Sequence, residues 1–132
     1  MDTHVGLQKN FEIVMEGEVI LLSLRGNIGG LNLSALHEWS QNVFRKIKEE
    51  YEKQGKKIKV LMDTSGIKGY EPEALTSLAN LVHEDDQYVY KTATFGAKPL
   101  IRLAEEAVFS LSGRDNCKAF MTKEKALQWL GE

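Results

Sequence analysis

Hydrophobic and polar residues alternate along residues 11–16, and a nearly continuous apolar run follows along residues 19–24. Alternation with a period of two is typical of a half-buried strand, and a short apolar run is typical of a buried one. Gly17 and Glu18 stand between the two runs and suit a tight turn. The pattern therefore predicts an antiparallel hairpin in which an edge strand leads into a central strand.

The rest of the chain alternates helical periodicity with short apolar runs. The first helix carries an apolar face opposite a charged one, formed by Leu36, Trp39, Val43, Phe44, Ile47 and Tyr51. Asn32 or Ser34 is expected to cap its start, and Gly55 to end it. Three further helices are predicted to follow Pro72, Pro99 and Thr122, because proline is tolerated in a first turn and threonine caps helices. Strands are predicted at residues 58–63, 91–95 and 117–121.

The predicted order is β-β-α-β-α-β-α-β-α. Strands that alternate with helices form parallel sheets with right-handed crossovers. We therefore expect an α/β fold with a mostly parallel five-stranded sheet and an antiparallel edge strand. Residues 1–10 show no periodicity and are predicted to form a short N-terminal arm, and residues 11–132 to form a single domain.

Charge and cysteine content exclude several classes of protein. The net charge is −2, with both signs interspersed, so no basic field indicates binding to nucleic acid or to an anionic membrane. The single cysteine, Cys117, cannot form an internal disulfide and fits a reducing compartment. Neither a membrane-spanning apolar run nor a signal peptide is predicted. We expect a cytoplasmic protein that does not insert into membranes.

Four short segments carry a family resemblance: VLMDTSGI at residues 60–67, PEAL at 72–75, LSGR at 111–114 and FMTKEKALQWL at 120–130. Together with the element order, they resemble the STAS domains, found in sulfate transporters and anti-sigma-factor antagonists. The resemblance is closest to the SpoIIAA-like bacterial proteins, a branch also likened to CRAL-TRIO lipid-transfer domains. It covers roughly residues 11–130 and implies a regulatory module that binds a protein partner.

The sequence departs from the phospho-regulated members of that family at one position. Those antagonists carry a serine at the start of the second helix, and the resemblance places it near Pro72 or Glu73 of this chain. Neither residue can accept a phosphate. The resemblance therefore implies partner binding without the phosphoserine switch.

The carboxyl ends of parallel strands are where open α/β sheets bind ligands. Three segments, residues 26–31, 63–71 and 96–99, are predicted to form loops that meet there. The candidate binding edge for a partner or ligand consists of Asp63, Thr64, Ser65, Gly66, Tyr70, Glu71 and Glu73. The alternative is purely structural, because Asp and Ser often hydrogen-bond the local backbone in turns.

Catalytic, metal and cofactor sites are not predicted. Ser65 lacks a nucleophile-elbow motif, and no histidine is tied to it by sequence. His83 is followed by consecutive acids, which would point around a helix rather than at one metal ion. The glycines between Gly26 and Gly30 lack the spacing of a nucleotide-binding loop. An enzyme is therefore the weakest of the functional hypotheses.

The third helix has more apolar residues than one face requires. Its core stripe is predicted to be Leu100, Leu103, Ala104, Ala107, Val108 and Leu111. Ile101 and Phe109 lie off that stripe and, with Trp129 of the last helix, could form an apolar surface or pocket. The alternative is that they are simply buried. An apolar or lipid-like ligand is thus the second functional hypothesis, and self-association through a strand edge or helix is also consistent with the pattern.

Overall fold

The computed structural model describes residues 11–29 and 33–132. The predicted N-terminal arm and the candidate cap Asn32 lie outside the described residues, as do the last two residues of the predicted loop 26–31. None of the helices within the described ranges combines the length and apolar character needed to cross a membrane.

The first two strands form the predicted hairpin. Strand β1 (Phe11–Glu16) pairs antiparallel with β2 (Val19–Ile28), and the register runs from Phe11 opposite Leu24 to Glu16 opposite Val19. The remaining elements are α1 (Leu33–Gln54), β3 (Ile58–Tyr70), α2 (Pro72–Glu84), a 3₁₀ turn (Asp86–Tyr88), β4 (Val89–Phe95), α3 (Pro99–Ser112), β5 (Cys117–Phe120) and α4 (Lys123–Leu130).

The five strands form one sheet in the order β1-β2-β3-β4-β5. Every pair from β2 onward is parallel, and only the β1–β2 pair is antiparallel. The predicted α/β fold with an antiparallel edge strand is therefore confirmed.

The helices cover the two faces of the sheet unequally. Helices α1, α2 and α3 contribute to the large core on one face, where Val60 of β3 is buried. The next residue, Leu61, belongs to a smaller core with Ala126 and Leu130 of α4. Successive residues of a strand point to opposite faces, so among the helices that the structure describes it is α4 that covers the second face of the sheet.

The predicted loop after residue 63 is wrong, because β3 continues to Tyr70. It pairs there with an extension of β2, which also replaces part of the predicted loop 26–31. The pairing shifts register between Ser23 and Arg25 and again between Gly26 and Asn27. Glycine and small polar residues indicate turns in sequence, but here they allow two irregular strands to pair through bulges.

The predicted core face of α3 is wrong for its leucines, although Val108 is buried as predicted. Leu100, Leu103 and Leu111 are 80%, 62% and 68% exposed, whereas Ile101 and Phe109 are buried in the main core. The helix is apolar around most of its circumference, so periodicity alone could not choose between its faces. The buried face also contains Glu105.

Candidate functional site

The polar residues in the middle of β3 are bonded to one another. The Asp63 carboxylate oxygen Oδ1 accepts a hydrogen bond from the backbone N–H of Ser65 at 3.0 Å and another from its hydroxyl at 2.7 Å. Aspartate and serine commonly make such local bonds. Asp63 and Ser65 therefore support the local backbone conformation. Ser65 and the following Gly66 are exposed and form a short rim on the surface beside Asp63.

The described parts of the three segments predicted to converge, residues 26–29, 63–71 and 96–99, lie close together. A Cβ atom placed on Gly96 would lie 2.9 Å from Cβ of Ser65, and one placed on Gly29 would lie 2.7 Å from Cβ of Glu71. The backbone N–H of Glu71 donates to the carbonyl of Ile28 at 2.8 Å. The edge is therefore closely packed backbone rather than an open crevice.

Thr64 points into the protein and contacts a buried acid. Its hydroxyl donates to Oε2 of Glu105 at 2.8 Å, and the Thr94 hydroxyl donates to Oε1 of the same carboxylate at 3.0 Å. Thr64, Thr94 and Glu105 are all buried. One carboxylate thus joins β3, β4 and α3 in the middle of the core.

Burial raises the pKa of Glu105, and the two threonine hydroxyls act in the opposite direction. Burial likewise raises the pKa of Tyr70, and the nearby Glu105 carboxylate adds to that rise. Of the residues predicted for the binding edge, Thr64 is thus fully buried and Tyr70 is partly buried against the main core. Sequence reasoning missed Glu105, although a pair of acids, Glu105 and Glu106, between two alanines of an apolar helix was a usable signal.

A small cavity of about 40 Å³ lies between the sheet and helices α1 to α3. Asp85, Glu105, Phe109 and Arg114 are among the residues that line it. Sites for small molecules usually enclose several hundred Å³. This cavity is therefore too small to hold a lipid-like ligand.

Asp85 is the least well-paired group at that cavity. The residue is 4% exposed, and its Oδ1 has no hydrogen-bond partner among the described residues. Burial raises the pKa of Asp85 to about 7, while Arg114 lowers it and Glu84 raises it. A carboxyl group in this position changes its charge near neutral pH.

Arg114, the last residue of the LSGR segment, ties α2 to the sheet. Its guanidinium donates to the Val82 carbonyl at 3.0 Å, to the Thr92 hydroxyl at 3.3 Å and to Asn116 Oδ1 at 2.8 Å. It also forms an ion pair with Asp86 at 3.3 Å. With its side chain only 3% exposed, Arg114 is a structural cation that satisfies the C-terminal end of α2.

A groove of about 580 Å³ runs between α1 and α2 on the protein surface. Phe44 and Leu81 supply apolar lining, and Arg45 and Lys48 of α1 supply positive charge. His37 Nε2 lies 2.9 Å from the Ser77 hydroxyl within the groove. Its volume falls in the range of binding clefts.

One wall of the groove is part of a longer row of residues along the outer face of α2. The row is formed by Glu73, Thr76, Ser77, Asn80 and Glu84. Their spacing of three, four, seven and eleven residues from Glu73 places them on one helix face. Ser77, Asn80 and Glu84 of this row also line the groove. Glu73, predicted at the binding edge, therefore belongs to a longer surface that sequence reasoning did not identify.

The histidines offer no catalytic arrangement with Ser65. His37 faces Ser77, and His83 Nδ1 lies 3.2 Å from the Ser112 carbonyl oxygen. His4 lies outside the described residues. Across the ranges that the structure covers, no group of three or more His, Cys, Asp or Glu side chains could hold a metal ion.

The three residues predicted for an apolar surface or pocket lie in two separate cores. Ile101 and Phe109 are buried in the main core, whereas Trp129 packs against the smaller core. The Trp129 ring lies 5.6 Å from that of Phe120, centroid to centroid. The leucines of α3 are exposed instead.

No protein-family model and no curated protein sequence matches the chain. Solved structures match it in fold. The anti-sigma factor antagonist SpoIIAA in its unphosphorylated form aligns with a TM-score of 0.61 and 15% identity, over 89% of this chain and 93% of SpoIIAA. An anti-sigma factor antagonist from Mycobacterium paratuberculosis aligns with a TM-score of 0.63 and 13% identity, over 92% of this chain and 93% of its own.

An uncharacterised protein of the DUF3478 family from Shewanella loihica PV-4, described as having a SpoIIAA-like fold, aligns with a TM-score of 0.61. The identity is 17%, over 91% of both chains. Identities this low show the fold alone. The resemblance to SpoIIAA-like proteins is confirmed at that level.

Proposed function

We propose that this chain, whose fold is SpoIIAA-like, is a non-catalytic binding module that engages a protein partner through the α1–α2 groove. The proposed contact surface, here called the docking face, comprises the outward row of α2 from Glu73 to Glu84 and the wall of α1 that carries Arg45 and Lys48. It combines an apolar floor with polar and charged walls. That is the usual composition of a recognition surface.

The observation that carries this proposal is the continuity between the row and the groove. Asn80 on α2 and Lys48 on α1 both line the groove, and neither side chain makes a hydrogen bond to any residue that the structure describes. Polar side chains on a rigid helix pair, free of internal partners, can bond a second protein without losing bonds within their own chain.

The similar structures support a protein as the partner. SpoIIAA and the mycobacterial protein are both anti-sigma factor antagonists by name, that is, proteins that act on another protein. At 13–15% identity this argues only for the kind of function, and the partner of this chain is proposed on the docking face itself.

The docking face is proposed to work without phosphorylation at the start of α2. Pro72 occupies the first turn of the helix, and Glu73 follows it in an exposed position. Glu73 also places an acidic side chain near the helix N-terminus, where acids are favourable. Binding would then depend on concentration and affinity rather than on a phosphoserine.

The test is affinity capture from an extract of the native cells, using immobilised wild-type chain and two variants. Asn80→Arg places a long cation across the groove, whereas Lys125→Glu changes charge on α4, on the opposite side of the sheet. We expect a partner that is retained by the wild type and by Lys125→Glu and is reduced at least tenfold by Asn80→Arg. Equal retention by all three chains would show that the docking face is wrong.

A further inference from the structure

Helix α3 presents a second apolar stripe to solvent. Leu100, Leu103 and Leu111 are 80%, 62% and 68% exposed, and Ala107 between them is exposed as well. These residues lie within about 80° of one another around the helix axis, at 100° per residue. Contiguous exposed apolar patches on a folded protein commonly mark interaction sites. The stripe is therefore a candidate surface for an occupant other than the core of its own chain.

The stripe carries no charge. Arg102 and Glu106, the charged residues of α3 outside the core, project more than 90° away from the middle of the stripe. A partner that covers the stripe would consequently bury aliphatic side chains without removing either charge from water. This favours an apolar partner surface over a polar peptide.

The spacing of the stripe is complementary to itself. In an antiparallel pair of α3 helices centred near residue 105, Leu103 faces Ala107 of the second copy and Leu100 lies beside Leu111 of the second copy. Large side chains meet small ones in the middle, which permits close approach, and leucines close both ends. A two-fold interface requires such self-complementarity, because the same patch contributes from both sides. We infer that a second copy of this chain covers the stripe as an antiparallel α3–α3 pair.

The free edge of the sheet is a less suitable route to the same dimer. Strand β5 is only four residues long and carries the exposed Lys118. Short strands and lysine are both features that discourage edge-to-edge pairing. The helix pair also uses a surface separate from the docking face, so the inference does not depend on the proposed function.

The dimer should be reversible. The stripe spans eleven residues, about 16 Å of helix, and one helix pair of that length buries less than the ~800 Å² per partner of a standard interface. We therefore expect a dissociation constant on the order of 10–100 µM.

The experiment is sedimentation velocity of the full chain from about 5 to about 500 µM, concentrations that bracket the expected constant. Four samples are compared with the wild type: Leu103→Glu, Ala107→Lys, an equimolar mixture of these two, and Val14→Glu as control. Val14 is 51% exposed on β1, at the opposite edge of the sheet. Urea unfolding of each variant confirms that it is folded.

We expect the wild type and Val14→Glu to dimerise alike, and each α3 variant alone to weaken the dimer at least tenfold. The mixture should recover dimer, because the antiparallel register sets the new glutamate against the new lysine. A wild type that stays monomeric throughout would overturn the inference, as would a dimer that survives Leu103→Glu. Binding of monomeric chain to vesicles of phosphatidylcholine and phosphatidylglycerol would also overturn it, by assigning the stripe to a lipid surface.

Discussion

Thr64 and Glu105 are joined by a hydrogen bond of 2.8 Å although 41 residues separate them in the chain. The bond connects the middle of β3 to the buried face of α3, and Thr94 of β4 completes it from the neighbouring strand. A buried carboxylate is tolerated only when its oxygens have partners, and here each oxygen has one. The pair lies on the face of α3 that turns toward the sheet, together with the buried Ile101 and Phe109.

Glu105→Ala should therefore destabilise the protein strongly. The substitution leaves the Thr94 hydroxyl buried without its acceptor and leaves the Thr64 hydroxyl with only the Phe95 carbonyl at 3.3 Å. We expect a loss of about 2–4 kcal/mol in the free energy of unfolding. Glu105→Gln, which can still bond both hydroxyls, should cost less than half as much. Urea titration followed by circular dichroism measures both. The exposed neighbour Glu106→Ala is the control and should stay within about 0.5 kcal/mol of wild type.

Asp85 should make stability fall as pH rises. Its pKa is about 7 in the folded protein against 3.8 for the unperturbed group. The folded state thus holds the proton more tightly than the unfolded state. The stabilisation is complete below pH 4 and is lost as pH rises through 7, by at most about 4 kcal/mol.

Asp85→Asn imitates the protonated group and should remove this component. Relative to the wild type, the variant should therefore have a higher unfolding free energy at pH 8 than at pH 5. The pKa of Glu105 is also raised, but Glu105 is present in both proteins, so its contribution to the pH dependence cancels in the comparison. A difference that does not change with pH would show that Asp85 is ionised throughout this range.

Arg114→Lys should be almost as damaging as Arg114→Ala. The guanidinium reaches the Val82 carbonyl, the Thr92 hydroxyl and Asn116 at the same time, and an ammonium group cannot reproduce this planar fork. We expect both variants to lose about 2–4 kcal/mol of unfolding free energy, measured in urea at pH 7. A lysine variant close to wild type would show that charge alone matters. The exposed Lys118→Ala serves as the control.

Periodicity and helix-end signals predicted the element order, the hairpin and the parallel sheet, because these depend on local pattern. Pro72 and Pro99 each lie in a first helical turn, and the Thr122 hydroxyl accepts from the Lys125 N–H as a cap does. Such features involve residues close in sequence, so sequence reasoning can reach them.

The errors arose where distant residues decide the structure. The extension of β3 to Tyr70 depends on its pairing with β2, and the burial of Ile101 rather than Leu100 depends on the acid at position 105 meeting two strands. The α1–α2 groove could not be predicted either, since Arg45 and Asn80 come to line one groove only after the helices pack. Of the predicted binding edge, Glu73 alone belongs to the proposed docking face.

Gly96 and Gly113 provide a matched test of the close packing at the end of β3. Both have positive φ, +85° and +77°, so alanine at either position strains the backbone by about 1 kcal/mol. A Cβ on Gly113 would meet nothing within 4 Å, whereas one on Gly96 would lie 2.9 Å from Cβ of Ser65. Gly96→Ala should therefore cost a further 1–3 kcal/mol or so of unfolding free energy, as overpacking does.

Adding Ser65→Gly to Gly96→Ala removes the atom that the new methyl group would meet. A double-mutant cycle in urea should then give a coupling energy of at least about 1 kcal/mol between the two positions. Gly113→Ala combined with Ser65→Gly should give additive effects, because those residues share no contact. If Gly96→Ala and Gly113→Ala cost the same, backbone strain alone accounts for both and the segments do not pack as closely as described. If coupling appears at Gly96 and not at Gly113, the residue that follows β4 must be small, because Ser65 lies too close to leave room for a side chain there.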